Sequence, residues 1–359
     1  MIDVNPFTVE SLAYGIEPVS ETWRGQARQR LGTLTKPLGS LGRLEDIAAQ
    51  FVGIRRERWQ EPIRKGVYIF AADHGVTAEG VSAYPSDVTR QMVMNFLAGG
   101  AAISVLAKLH NVQLAVIDVG VAGDLGDAIG VLDRKIARGT RNLRREAAMN
   151  EIQVVRALAV GAEMADAAIA AGQNIVAIGE MGIGNTTAAS AITCALTGVP
   201  AGVATGRGTG ISSEAYAHKM AIVQASIEKH FGSTVPLSSF EILRCLGGLE
   251  IAAMAGMILE AARHQLVIVV DGFISTAAAA IAAAISPASL GYIIAGHQSE
   301  EPGHRILLER LDLYPLLTLG MRLGEGTGAV LAMPLIASAV ALCMNMATFD
   351  AAGVSEATA

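Results

Sequence analysis

Residues 67–75 read VYIFAADHG. The run 67–72 is apolar and built from β-formers, and it stops at Asp73, His74 and Gly75. A short continuous apolar run closed by a turn signal predicts a strand buried on both faces. The same design recurs along the chain. QLAVIDV at 113–119 ends around Asp118-Val119-Gly120, and 174–178 is followed by Gly179-Glu180-Met181-Gly182. QLVIVV at 265–270 ends in Asp271-Gly272, and 292–295 ends in Gly296-His297. A further short strand is expected over 132–138. Between these runs the spacing predicts helices over 88–109, 151–171 and 185–196. Strands alternating with helices indicate an α/β fold, a doubly wound and mainly parallel sheet flanked by helices. In such a sheet the carboxyl ends of the strands lie along one edge, and ligands bind there. Asp and Gly also make good turns, but a series of them at successive strand ends favours binding at that edge.

Outward from this core, residues 1–60 are more polar and predict amphipathic helices. KPLGSLGRLEDIAAQF at 36–51 places a helix start at Ser40 or Gly42. At the other end of the chain stands MRLGEGTGAVLAMPLI, 321–336, in which Glu325 lies between Gly324 and Gly326. An Ala-rich, uncharged segment follows to Phe349. One carboxylate at the mouth of an apolar helix either caps that helix and favours its dipole, or has a chemical task. An apolar setting raises its pKa and a helix N-terminus lowers it. The expected domains are a small helical one, 1–60 with part of 326–359, and a large Rossmann-like α/β one, 61–325, carrying the active site.

The composition narrows the class. Hydrophobic residues make up 52% and charged residues 17%, with 39 glycines, which suits a sheet covered on both faces. A net charge of -6 and a pI near 5.7 argue against a nucleic-acid partner. Cys194, Cys245 and Cys343 are far apart in apolar contexts, as expected of reduced, buried thiols in a cytoplasmic protein. The seven histidines show no metal-ligand spacing, so no metal is expected. Three long uncharged stretches, 181–206, 272–296 and 326–349, are rich in Ala, Gly and Thr and contain Pro200, Pro287 and Pro334. Without basic flanks or aromatic belts they read as loop, buried helix and next strand in succession rather than as membrane spans. The N-terminus lacks the basic-then-apolar order of a signal peptide.

Two glycine clusters suit a phosphate. Gly182-Ile183-Gly184-Asn185-Thr186-Thr187 leads into a helix, whose N-terminal N–H groups and dipole attract an anion. Gly206-Arg207-Gly208-Thr209-Gly210 has the same character, with Lys219 downstream as a point charge. Neither matches a P-loop or a dinucleotide fingerprint. The residues themselves thus indicate an α/β protein for a small phosphorylated ligand, with Glu325 as the candidate general base.

Several motifs in order carry a resemblance: KPLGSLGRLE at 36–45, ADHGV at 72–76, Tyr84-Pro85 with VTRQMVMNFLAGGAAI at 88–103, IDVG at 117–120, GEMGIGNTT at 179–187, DGFIS at 271–275, GHQSEEPGH at 296–304 and RLGEGTGA at 322–329. Through most of its length the chain resembles the nicotinate-nucleotide–dimethylbenzimidazole phosphoribosyltransferase family of cobalamin nucleotide-loop assembly. The resemblance implies transfer of phosphoribose from nicotinate mononucleotide to 5,6-dimethylbenzimidazole, giving α-ribazole 5′-phosphate and nicotinate. It implies that Glu325, in LGEG, takes the azole proton during inverting attack on the anomeric carbon. It places Glu180 near the ribose and leaving base, and Gly182, Gly184, Asn185 and Thr186 on the phosphoribosyl group with Lys219 on the phosphate. The azole is expected against Tyr84, Met92 and Asn95, closed by Met181 and Leu323, with Asp271 and Gly296 also at the site. Ordinary helix packing is the other reading of Met92 and Asn95. The resemblance further implies a homodimer, and no cofactor is expected. Transfer to another azole or to adenine, and a non-catalytic binding module, are the competing functions.

Overall fold

The computed structural model describes residues 9–56, 62–126, 128–208, 210–232 and 238–355; Thr209 of the second glycine cluster lies outside them. Among the described residues six strands form one sheet: β1 (Lys65–Ala72), β2 (Gln113–Gly120), β3 (Val131–Asp133), β4 (Ile175–Met181), β5 (Val267–Val270) and β6 (Ile293–Ala295). Their order is β3-β2-β1-β4-β5-β6, and every pairing is parallel. The expected mainly parallel sheet is therefore parallel throughout. Its order reverses between β1 and β4, where the connections leave a crevice at the carboxyl ends. Residues 66–72 of β1 and all of β5 are buried, which is why their sequences are continuous apolar runs rather than alternating ones.

Helix Leu249–Arg263 lies on β1, β2, β4 and β5 and is buried from Leu249 to Ala262. It crosses helix Glu151–Ala170 at backbone contact. A Cβ on Gly161 would lie 1.8 Å from the Ala253 carbonyl oxygen, and one on Gly256 2.0 Å from that of Leu158. Helix Glu151–Ala170 starts with a capping box between Asn150 and Gln153. The N-terminal helices Glu21–Thr33 and Arg43–Arg55 pack against each other and against helix Thr327–Asn345. Gly42 is the N-cap of the second of them, one of the two starts expected. Arg30 donates to the carbonyls of Cys343 and Met344 (2.6 and 2.7 Å), satisfying C-terminal acceptors of the long helix.

Four expectations change in detail. The single helix expected over 88–109 is two, Asp87–Leu97 and Ala102–Leu109. Gly99 takes a left-handed φ of 79° and turns the chain between them. Pro334 does not end a helix: Thr327–Asn345 runs through it. One lost N–H bond is offset there by a helix buried along much of its length. The strand expected at 132–138 is shorter, Val131–Asp133, at the sheet edge. β4 extends to Met181, so Glu180 sits within the strand, not after it. By length and hydropathy alone, 87–109 and Thr327–Asn345 would suffice to cross a membrane. The first is interrupted by the turn at Gly99 and the second contributes Ala329, Met333 and Ile336 to the core. All three cysteines are buried free thiols, as expected.

Candidate active site

A cavity of about 700 Å³ opens at the carboxyl edge of the sheet, over the ends of β4, β5 and β6. Eleven of the residues singled out in the sequence line it: Tyr84, Met92, Glu180, Met181, Gly182, Gly184, Asn185, Thr186, Asp271, Leu323 and Glu325. Tyr84 and Leu323 are 55% and 57% exposed, so they form an apolar mouth rather than a closed slot. Three others do not line it. Asn95 turns its Oδ1 toward Gly100, 2.4 Å from where a Cβ would stand there. Gly296 packs under the long helix, its missing Cβ leaving room for the Ala329 Cα at 2.8 Å. Lys219 is buried one layer behind, donating from Nζ to Thr186 Oγ1 at 2.9 Å.

Glu325 occupies an unusual backbone. Gly324, Glu325 and Gly326 have φ of 83°, 63° and 85°, three left-handed residues in succession. The glycines take this conformation freely; Glu325 does not, and such strain in a non-glycine residue belongs to positions held by their surroundings. Gly179 on β4 permits the close approach of this loop, because a Cβ there would lie 2.6 Å from the Gly326 nitrogen. Glu325 does not cap the helix that follows it. That helix starts at Thr327, and Asp271 accepts from its first N–H groups: Gly326 at 3.1 Å, Gly328 at 2.7 Å and Ala329 at 3.0 Å. The Glu325 carboxylate instead accepts from Ile103 N–H at 3.4 Å, at the start of helix Ala102–Leu109. Burial raises its pKa above the usual carboxylate range; the Ile103 N–H opposes this and the Asp271 charge adds to it.

Glu180 lies opposite Phe70 in the sheet, 7% exposed. Asn185 Nδ2 donates to its Oε2. Burial, then the charges of Glu250 and Asp271, push it to about 8, against the Asn185 bond and with Glu325 adding to the rise. At neutral pH Glu180 is therefore a neutral acid, a hydrogen-bond donor as well as an acceptor. The other strand-end acids are committed elsewhere. Asp73 accepts from Ala122 N–H at 2.8 Å, and Asp118 accepts from Val121 N–H at 2.8 Å and pairs with Lys135 at 3.0 Å. Asp118 thus closes a local turn, Asp73 ties the end of β1 to the loop after β2, and neither lines the cavity.

The first glycine cluster leads into helix Asn185–Thr197, whose N-cap is Gly184 at φ 98° with no side-chain cap. This uncapped N-terminus faces the cavity beside Thr186 and Lys219. Burial lowers Lys219 to about 8, opposed by Glu301. Gly208, from the second glycine cluster, lines the cavity and donates to Glu301 Oε1 at 2.9 Å, while Arg322 donates to its carbonyl at 2.8 Å.

Sequence reasoning passed over several groups at the cavity. Ser299, Glu301 and Arg322 stand inside quoted motifs, and only their neighbours were singled out. His297, by contrast, belongs to the strand-end series expected at this edge, and it lines the cavity 3.5 Å from Asp271 Oδ1. Behind the Gly182 loop, His74 Nε2 pairs with Glu250 Oε1 at 2.6 Å, both side chains fully buried. Glu250 stands in a helix without an apolar stripe, so no pattern in the sequence marks it. Away from this site, His264 Nε2 lies 3.5 Å from Asp166 and 3.0 Å from Glu260, and Glu260 also pairs with Arg263 at 2.8 Å.

With this geometry in view, comparisons with known proteins converge. A family model described as phosphoribosyltransferase matches residues 16–354. The nicotinate-nucleotide–dimethylbenzimidazole phosphoribosyltransferase of Geobacter sulfurreducens is 48% identical over 339 residues, 94% of this chain and 96% of that protein. The one from Chloroflexus aurantiacus is 47% identical over 348 residues, 97% and 99% of the two chains. The crystal structure of CobT from Thermus thermophilus matches with a TM-score of 0.89 and 46% identity, covering 94% of this chain and 100% of that one. Fold, cavity and relatives agree: the chain belongs to the phosphoribosyltransferase family that includes the nicotinate-nucleotide–dimethylbenzimidazole phosphoribosyltransferases.

Proposed function

We propose that this protein transfers the phosphoribosyl group of nicotinate mononucleotide to 5,6-dimethylbenzimidazole, releasing nicotinate and forming α-ribazole 5′-phosphate for the lower ligand of cobalamin. The observation that carries this reading is a buried carboxylate, Glu325, held in a strained glycine frame at a cavity that also presents an uncapped helix N-terminus. The helix end suits the donor phosphate. Gly182, Gly184, Asn185 and Thr186 hold the phosphoribosyl group, and Lys219 supplies a cation from behind Thr186. The azole enters past Tyr84, Met92, Met181 and Leu323.

The chemistry follows from charge. The imine nitrogen of the azole attacks the anomeric carbon while the bond to nicotinate breaks. That bond's electron pair returns to the pyridinium nitrogen, so the leaving group departs without an acid. Attack opposite the leaving base inverts the β-linkage to α. The proton on the other azole nitrogen goes to Glu325, whose raised pKa makes it a stronger base than an exposed carboxylate. Glu180, neutral at pH 7, donates a hydrogen bond to the ribose or the leaving base. Asp271 has both oxygens on backbone donors, so its place is beside the base rather than on the substrate.

The same reading carries a cytoplasmic homodimer, with the N-terminal helices and the long C-terminal helix as a small helical domain; the Arg30 bonds across them support that grouping. Light scattering tests the dimer. The function itself is tested by mixing the protein with both substrates and following nicotinate and ribazole phosphate by chromatography. Product with dimethylbenzimidazole is expected. Product only with another azole or adenine would move the acceptor, a choice the open mouth at Tyr84 allows. Absence of product with every acceptor would make this a binding module.

A further inference from the structure

We propose that Asp271 is a positioning residue that acts through Glu325, fixing the left-handed frame that presents this base to the cavity. The inference rests on Glu325 being the general base. Asp271 follows β5 directly and is 3% exposed, so its carboxylate is fixed by the sheet. Its Oδ2 accepts from Gly326 N–H at 3.1 Å, and its Oδ1 from Gly328 and Ala329 at 2.7 and 3.0 Å. These three donors belong to the residues immediately after Glu325. The bonds therefore set the direction in which the chain leaves Glu325, within a run of three positive φ values. A backbone so strained persists where its surroundings over-determine it, and Asp271 does so from the strand side. From the other side Gly179 abuts the loop, and within it Thr327 Oγ1 donates to the Gly324 carbonyl at 2.8 Å.

Asp271 has a second, electrostatic effect. Its charge disfavours ionisation of Glu325 and so strengthens the base it holds. The other groups facing this corner are Glu180 from β4, His297 after β6, 3.5 Å from Asp271, and the Ile103 N–H from helix Ala102–Leu109. None of the three belongs to the element that carries Glu325.

The test is steady-state kinetics of Asp271→Asn across pH, beside wild type, Gly326→Ala and Glu325→Gln. The carboxamide of Asp271→Asn turns an NH2 toward backbone N–H groups in either orientation, so the frame loosens. A displaced base of this kind costs about 100-fold in kcat. The expected result is that loss, with KM for nicotinate mononucleotide within about threefold of wild type, and an acid limb of kcat moved to lower pH. Gly326→Ala strains the same frame but keeps the charge, so it lowers kcat without moving the limb downward. A raised KM at unchanged kcat in Asp271→Asn would make Asp271 a substrate-binding residue. A kcat loss with an unmoved limb would make it structural only. If Asp271→Asn does not fold, Gly326→Ala decides: unchanged kcat there overturns the proposal. Undiminished turnover by Glu325→Gln would instead remove the reading beneath it, a separate failure.

Discussion

Two loops at the cavity share one local grammar. Residues 179–185, GEMGIGN, and 323–328, LGEGTG, each set a glutamate near glycines, and each ends in a left-handed glycine N-cap, Gly184 at φ 98° and Gly326 at φ 85°. Neither N-cap offers a side chain to its helix. Yet the two helix ends differ. The one after Gly326 is filled by Asp271, which takes three of its N–H groups. Among the described residues the one after Gly184 has no carboxylate on its N–H groups; in its loop Ile183 N–H donates to Thr89 Oγ1 at 3.1 Å. A filled end cannot hold an anion, but it holds a base rigidly. An open end binds an anion. Under the proposed function, two loops of similar composition are divided into chemistry and binding by one aspartate, Asp271, at the end of β5.

The strongest test of that division is Glu325→Gln. A general base contributes typically about 10² to 10⁴ in rate, so kcat should fall by that range while donor affinity, measured by calorimetry, stays near wild type. A fall in affinity equal to the fall in kcat would mean the second loop also binds.

The next effect concerns Glu180 in the first loop. Its folded pKa, about 8, is above the unfolded value of 4.5. The folded state then holds a proton that the unfolded state releases, so this group's stabilising contribution is present below about 4.5 and is lost as pH rises through 8. Over that span the loss is on the order of 5 kcal/mol, taken as an upper bound. Glu180→Gln has no such loss, so its melting temperature relative to wild type should rise between pH 5 and pH 8. A constant difference would show that Glu180 ionises normally.

Smaller effects follow at the phosphate end. Removing the cation in Lys219→Met should raise the donor KM by roughly tenfold, a little over 1 kcal/mol, and leave kcat at saturation nearly unchanged. Because Lys219 titrates near 8, the wild-type donor KM should also rise above that pH. A variant with an unchanged KM would move the phosphate elsewhere. Least is expected of Gly184→Ala. Its left-handed φ costs about 1 to 2 kcal/mol for a residue with a Cβ, and Thr77 Cγ2 stands 3.0 Å from that Cβ. Thermal unfolding should show a modest loss that grows with donor bound, because the strained loop gains less from the ligand than wild type does.

Much of this was legible before any coordinates. Buried parallel strands read as unbroken apolar runs, so 67–72 and 265–270 could be placed to within two residues of β1 and β5. The loops around Glu180 and Glu325 were marked by their glycines. Other parts had no local signature. Helix Leu249–Arg263 is apolar on all sides, so no stripe announces it, and Glu250 is hidden within it. Asp73, Asp118 and Asp271 all precede strand-end turns and look alike in sequence. Partners over 40 residues away separate them for Asp73 and Asp271: Ala122 N–H takes the first and the backbone of 326–329 the second.

What the sequence by itself determined is the alternation of elements, the edge at which acids and glycines gather, and the carboxylate in its glycine frame, because these depend on local propensity and periodicity. Only the tertiary structure decided which acids face the cavity, which helix end stays open, and that Asn95 and Gly296 lie outside while Lys219 stands behind Thr186. Those outcomes depend on which backbone donors the fold brings to each buried carboxylate, and no residue carries that information in its own neighbourhood.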